Sequence, residues 1–257
     1  MRIERYEHGI PSWVDLSTPD IDAAAAFYSA LFGWECPEGS AETGGYRVCT
    51  IGDVPVAGMM PAMNPGPPVW ATYVDVADAD ATTDAVRTNG GQVIVEPMDV
   101  LDSGRMAVYA DPVGQVIGVW QAGAHAGAGL VNEPGTLTWD ELVTTDVDAS
   151  IAFYSAVFGW GAETHGEGPG AYTEWQLGGR SIGGLMQKPP MMPAEVPPHW
   201  AVYFAVADTD NCAARVAELG GQVMMPPTDI EPGRFAVVVD PTGAAFNVIA
   251  MNPERAG

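Results

Sequence analysis

The sequence predicts an α+β protein made by tandem duplication of one domain. Two observations carry this: a nonapeptide written twice, and an order of strands and helices that recurs around each copy. "AFYSALFGW" (26–34) returns as "AFYSAVFGW" (152–160), so Phe27 and Phe153 stand half the 257-residue chain apart. A repeat of that length is a domain with its own hydrophobic core and far exceeds a solenoid unit. The matches extend beyond it: "PPVWATYVDVADAD" lies over "PPHWAVYFAVADTD", and "GRMAVYADPVGQ" over "GRFAVVVDPTGA". The expected division is a first domain over 1–122, a Gly/Ala-rich linker over 123–135, and a second domain over 136–257.

Each element has a local reason. Trp13, Asp15 and Ser17 alternate with Val14 and Leu16, the period of a strand. Asp20 caps a helix over 21–32, which Gly33 stops. Phe27, Tyr28, Leu31 and Phe32 form its apolar stripe, so the repeated nonapeptide is read as core. Strands are expected over 46–51 and 54–60, joined by the Gly52-Asp53 turn. After the proline-rich "NPGPP", a strand over 70–76 leads into a helix over 79–89 that ends at Gly90-Gly91. Strands near 93–95, 105–110 and 116–121 follow. Each copy therefore holds two β-α-β-β(-β) units, the pattern of antiparallel strands wrapped by single helices.

Composition excludes several functions. A net charge of −23, from 33 acidic and 10 basic residues, repels nucleic-acid backbones and anionic membranes. With 47% apolar residues the chain is globular and not disordered. The start, "MRIERYEHGIPSW", has no apolar core of signal-peptide length, and no apolar run approaches a membrane span. Cys36, Cys49 and Cys212 occupy unmatched places in the two copies and are odd in number. Reduced thiols and a cytoplasmic location are expected.

The "D-x-D-x-x-x-x-F-Y" and "F-G-W" elements (20–34 and 146–160), with a "D-P-x-G" turn closing each copy (111–114 and 240–243), resemble the vicinal oxygen chelate superfamily. That superfamily includes glyoxalase I, bleomycin-resistance proteins and extradiol dioxygenases. The resemblance implies two βαβββ units per domain, folded into an open cup of curved sheet, with a metal held by His, Glu or Gln. It places those ligands on Trp13, Ala71 and Gly118 in the first copy, and on Trp139, Ala201 and Asn247 in the second. Trp, Ala and Gly side chains cannot ligate, and a lone Asn oxygen is weak. The expectation is a cup with no metal and no cofactor. His199 is the one candidate for an unorthodox site, while His8, His125 and His165 lie near the N-terminus, in the linker and in a glycine-rich loop.

Both copies retain a tryptophan with a carboxylate two residues on: Trp13 with Asp15, and Trp139 with Glu141. On a strand these share a face. Asp15 and Glu141 are the candidate catalytic groups. Trp70 and Trp200, Tyr73 and Tyr203, Tyr46 and Tyr172, and Arg105 and Arg234 recur as candidate ligand contacts, joined by Glu174 and His199 in the second copy alone. A buried acid needs a partner; Arg105 and Arg234 are the available cations, and pairing with them is the alternative to a ligand role. The expected function is a glyoxalase-like or bleomycin-resistance-like protein acting on a small aromatic or oxygenated molecule, by lyase, isomerase or hydroxylase-like chemistry. The alternative is a non-catalytic protein that sequesters a drug or metabolite. Domain pairing within the chain is expected, as a monomer or homodimer.

Overall fold

The computed structural model describes residues 1–63 and 65–252. In the first copy the elements are β1 (Pro11–Thr18), α1 (Ile21–Phe32), β2 (Arg47–Ile51), β3 (Val54–Pro61), β4 (Val69–Asp75), α2 (Ala79–Thr88), β5 (Gln92–Val100), β6 (Gly104–Ala110) and β7 (Val116–Ala122). The second copy gives β8 (Leu137–Thr144), α3 (Val147–Phe158), β9 (Gly161–His165), β10 (Tyr172–Leu177), β11 (Arg180–Gln187), β12 (His199–Ala205), α4 (Thr209–Glu218), β13 (Gln222–Ile230), β14 (Gly233–Val239) and β15 (Ala245–Met251). Strands of one copy stay in one sheet, in the orders β2-β3-β1-β4-β7-β6-β5 and β13-β14-β15-β12-β8-β11-β10-β9. In each sheet the two units meet at an antiparallel seam, β1 against β4 and β8 against β12.

The helix ends follow the sequence. Asp20 and Asp146 accept the Ala23 and Ala149 amides at 3.0 Å, and Gly33 and Gly159 take the left-handed conformation with φ 75° and 71°. Strand β5 is longer than expected because Pro97 does not end it. The register slips between Val95 and Met98, and the irregularity takes up the missing donor.

The second sheet has one strand more, β9, and the matching segment of the first copy is held by a disulfide. In the second copy Ala162 on β9 faces Trp175 on β10. In the first copy the matching residues are Cys36 and Cys49, which form a disulfide. It fastens the chain after α1 to β2, beside a single bridge between Glu35 and Thr50, where a strand would otherwise lie. The expectation of reduced thiols is thus overturned for this pair. Their unmatched sequence positions hid a cross-strand relation; only Cys212 is free.

The two copies do not keep separate cores. One cluster joins Phe27, Tyr28 and Trp34 to Phe204, Val216 and Phe246; the other joins Val74, Val86 and Tyr109 to Phe153, Tyr154 and Trp160. Hydrogen bonds cross in the same reciprocal way. Tyr28 donates to Asp240 of the second copy's D-P-x-G turn at 3.2 Å, and Tyr154 bonds Asp111 of the first copy's turn. Trp34 Nε1 donates to the Gly135 carbonyl and Trp160 Nε1 to the Gly9 carbonyl, both at 2.7 Å. The aromatic residues of the nonapeptide and the D-P-x-G turns are therefore partners, each copy serving the other.

Replacing Tyr28 by Phe removes the hydrogen bond to Asp240 Oδ2, while Oδ1 keeps its bonds from Thr242 and Ala244, and strands the buried Trp70 indole N–H. A loss of roughly 1–3 kcal/mol in unfolding free energy is expected. Denaturant titration checks this, and a loss below a few tenths would show that the network contributes nothing.

Candidate functional site

Alternation along β1 sends Trp13 and Asp15 to the concave face and Val14 and Leu16 toward the helices. Asp15 sits between Gly58 on β3 and Ala71 on β4, two small neighbours. Gly58 is required there: a Cβ at this position would fall 1.9 Å from the Tyr46 hydroxyl oxygen. Tyr46 reaches across that gap to donate to Asp15 Oδ2 at 3.2 Å, and accepts from Trp13 Nε1 at 2.8 Å. Tyr73 bonds Asp15 from the other side, its ring lying over Gly118.

The second copy repeats the arrangement. Glu141 stands between Gly184 and Ala201, and the Tyr172 hydroxyl crosses Gly184 as Tyr46 crosses Gly58. Trp139 Nε1 donates to Tyr172 at 3.0 Å, Tyr203 donates to Glu141 Oε1 at 3.0 Å, and Tyr172 bonds the same carboxylate. Six of the expected site residues, with their acids, thus form two matched clusters: indole, phenol, carboxyl, phenol.

Among the described residues no cation enters either cluster. Burial raises Asp15 to about 7 against the tyrosine hydrogen bonds, which pull it down, and raises Glu141 in the same manner. The four phenols are themselves held up by burial and then by the adjacent acid, so they stay protonated donors.

Four expected contacts lie elsewhere. Trp70 and Trp200 stand three residues from Tyr73 and Tyr203, an odd spacing that puts them on the opposite face. There their indoles donate to Tyr28 at 3.0 Å and Tyr154 at 3.1 Å within the shared cores. Arg105 and Arg234 also fall on the helix side. Arg105 binds Asp80 of α2 and Asp99 of β5; Arg234 binds Asp210 of α4 and Asp229 of β13. They recur because each ties a helix's first turn to its sheet, and neither compensates an acid of the cup.

The two cups differ around this common centre. In the second, Glu174, His199 and Asn247 face the concavity where the first has Val48, Val69 and Gly118. Glu174 accepts from Ser181 and lies 4.0 Å from His165 Nε2, and His199 Nδ1 is 2.9 Å from the Pro197 carbonyl. The first cup is covered at its Trp13 end by the segment between β7 and β8. Ala128 N donates to the Ser12 carbonyl, and the His125 ring stands edge-on to Trp13 with centroids 4.5 Å apart. Trp13 is buried beneath it, whereas Trp139 is half-buried and has no aromatic partner among the described residues. Sequence reasoning missed His125 and the glycine pair; Gly58 and Gly184 do recur in "VAGMM" and "IGGLM", which was the available signal.

The metal implied by the fold does not suit these residues. Among the described residues no three His, Cys, Asp or Glu side chains cluster as a ligand set. At the centre of each cup stands one carboxyl whose pKa burial raises, bonded by two phenols held as donors, the reverse of the deprotonated donors a divalent ion needs; Glu174 and His199 stand beside that centre in the second cup only and complete no ligand set.

With the duplicated cups described, the family follows from the whole-chain match. The model of the Glyoxalase/Bleomycin resistance protein/Dioxygenase superfamily fits residues 10–119 and again 125–248. The chain belongs to this superfamily. It is 45% identical over 259 residues to "Putative glyoxylase CFP32" of Mycobacterium bovis, covering 97% of this chain and 98% of that one. It is 38% identical over 272 residues to "Anthracycline biosynthesis protein DnrV" of Streptomyces peucetius, covering 98% of each. In fold it is similar to the Mn(II)-bound glyoxalase of Novosphingobium aromaticivorans, with TM-score 0.66 at 18% identity, covering 95% of this chain and 82% of that one. It is also similar to the 2,3-dioxygenase LapB of Pseudomonas sp. KL28, with TM-score 0.68 at 12% identity, covering 99% and 96%. Among the described residues no helix is long and apolar enough to cross a membrane.

The raised pKa of Asp15 has a pH signature. Its folded-state value of about 7 exceeds the ordinary 3.8, so folding favours the protonated form. Asp15 therefore costs nothing below about pH 4 and a growing amount as pH rises through about 7. Asp15→Asn should raise the melting temperature at about pH 8 and leave it nearly unchanged at about pH 4. An equal difference at both pH values would refute the assignment.

Proposed function

We propose that this chain binds a small aromatic or oxygenated organic molecule in the cup of its second copy and moves a proton on it without a metal. The observation that carries the reading is Glu141, a buried carboxyl with no cation, held between the hydroxyls of Tyr172 and Tyr203. A carboxyl whose pKa burial raises above the ordinary carboxylate range is suited to give and take a proton. Tyr203 is the neighbouring donor that steadies charge on Glu141 or on a ligand oxygen, and the Tyr172–Trp139 chain fixes the other side. Trp139 supplies a face for stacking, while Asn247, His199 and Glu174 add polar contacts that select orientation. The polar contacts of Asn247, His199 and Glu174, which the first cup lacks, favour the second as the working site. Two relatives named for anthracycline biosynthesis support an aromatic, oxygen-bearing ligand. Proton transfer of this kind serves lyase or isomerase reactions; a hydroxylase-like reaction would need dioxygen and a reductant as co-reactants besides.

The same contacts would hold a molecule without changing it, and one experiment separates the readings. A library of aromatic hydroxy and carbonyl compounds is screened for binding to metal-analysed protein, and bound compounds are checked by mass spectrometry and deuterium exchange. Protein with far less than one metal per chain should bind. Glu141→Gln should abolish solvent deuterium incorporation while keeping affinity within about tenfold, and Tyr203→Phe should weaken both. Binding with no exchange or mass change in wild-type protein would establish sequestration. Activity that tracks metal content and is lost on chelation would overturn the metal-free cup.

A further inference from the structure

Outside both cups, a cavity of about 510 Å³ lies where the N-terminal segment crosses the ends of β4 and β7. Its walls carry an uneven set of polar groups. Asp75 is only 7% exposed and its carboxylate accepts no hydrogen bond among the described residues. Arg5 is the cation whose charge it feels, yet the two form no ion pair. His8 Nδ1 accepts the Ala77 amide at 3.2 Å, which leaves Nε2 to carry the ring proton. Gln121 Oε1 accepts the Ala79 amide at 2.9 Å, leaving its NH2 group unpartnered among the described residues. The cavity wall thus offers three donor side chains, Arg5, His8 and Gln121, and the Asp75 carboxylate as an acceptor.

The duplication shows that the fold does not need this set. Gly9 and Gly135 are equivalent, since each accepts the indole N–H of the other copy's nonapeptide. By that register His8 corresponds to Pro134 and Arg5 to Val131. The matched strands set Asp75 against Ala205 and Gln121 against Ala250. Asp75, Arg5, His8 and Gln121 are each replaced by an apolar residue in the sister copy. The Asp75 carboxylate, with no hydrogen-bond partner among the described residues and present in one copy alone, is left open to something that the cavity holds.

We propose that this cavity binds a small zwitterion of the α-amino-acid type, its ammonium received by Asp75 and its carboxylate by Arg5, with His8 and Gln121 as further donors. A plain cation would leave Arg5 facing like charge. A plain anion would be set beside Asp75 and Glu4 in a chain of net charge −23. A molecule carrying both charges satisfies both ends.

Isothermal titration of the full-length protein with a panel of L-α-amino acids tests this, with acetate and methylamine as half-ligands. At least one amino acid should bind with a Kd near or below roughly 1 mM, more than about tenfold tighter than either half-ligand. Asp75→Ala and Arg5→Ala should each weaken it by at least about tenfold. Asp75→Ala installs the residue the second copy already carries; should it fail to fold, Arg5→Ala, at an exposed side chain, carries the test alone. No binding by any amino acid, half-ligands that bind equally well, or variants that bind like wild type would overturn the proposal.

Discussion

The structure depends on a reciprocal lock between the two copies. Each nonapeptide supplies a tyrosine that bonds the other copy's D-P-x-G aspartate and a tryptophan that bonds the backbone where the other copy begins. Around these bonds the stripes of α1 and α3 are buried against strands of the opposite copy. Two sequence signatures, some 85 residues apart within each copy, are thus explained by one contact made twice. Neither nonapeptide is buried by its own sheet alone, so pairing of two copies is a physical requirement of this packing.

That lock also frees the concave faces. The helices and shared cores take one side of each sheet, and the alternation of the strands leaves the other side to Trp13, Asp15 and Tyr73, or Trp139, Glu141 and Tyr203. Because the cores fix strand positions, side chains of the cup are able to diverge. The centre has stayed the same in both copies while its surroundings have not. Gly118 against Asn247 and Val69 against His199 make one floor apolar and the other polar, and the β7–β8 segment covers the Trp13 end of the first. The cavity at the N-terminal segment shows the same freedom, with Asp75 against Ala205.

Much of this was legible in the sequence, and the limits were physical. Period and caps gave α1 to the residue, because Asp20 and Gly33 mark both ends. The Trp-x-acid pairs were placed correctly because period two fixes a strand's faces. The same rule, applied to Trp70 and Tyr73, would have separated them, since an odd spacing reverses the face. Arg105 and Arg234 misled because recurrence in both copies reports any shared need, and theirs is to tie helix to sheet. The partners of the acids lie on other strands, so the tyrosine hydroxyls crossing Gly58 and Gly184 required the register. The Cys36–Cys49 bond was hidden for the same reason, and so was His125, whose place over Trp13 depends on how the connecting segment is laid.

The most direct measurement is of the halves. If the lock is what makes each copy stable, residues 1–129 and 130–257 produced separately should show no cooperative thermal transition, and mixing them should restore one near that of the whole chain. Two halves that each melt cooperatively alone, with no gain on mixing, would contradict the account.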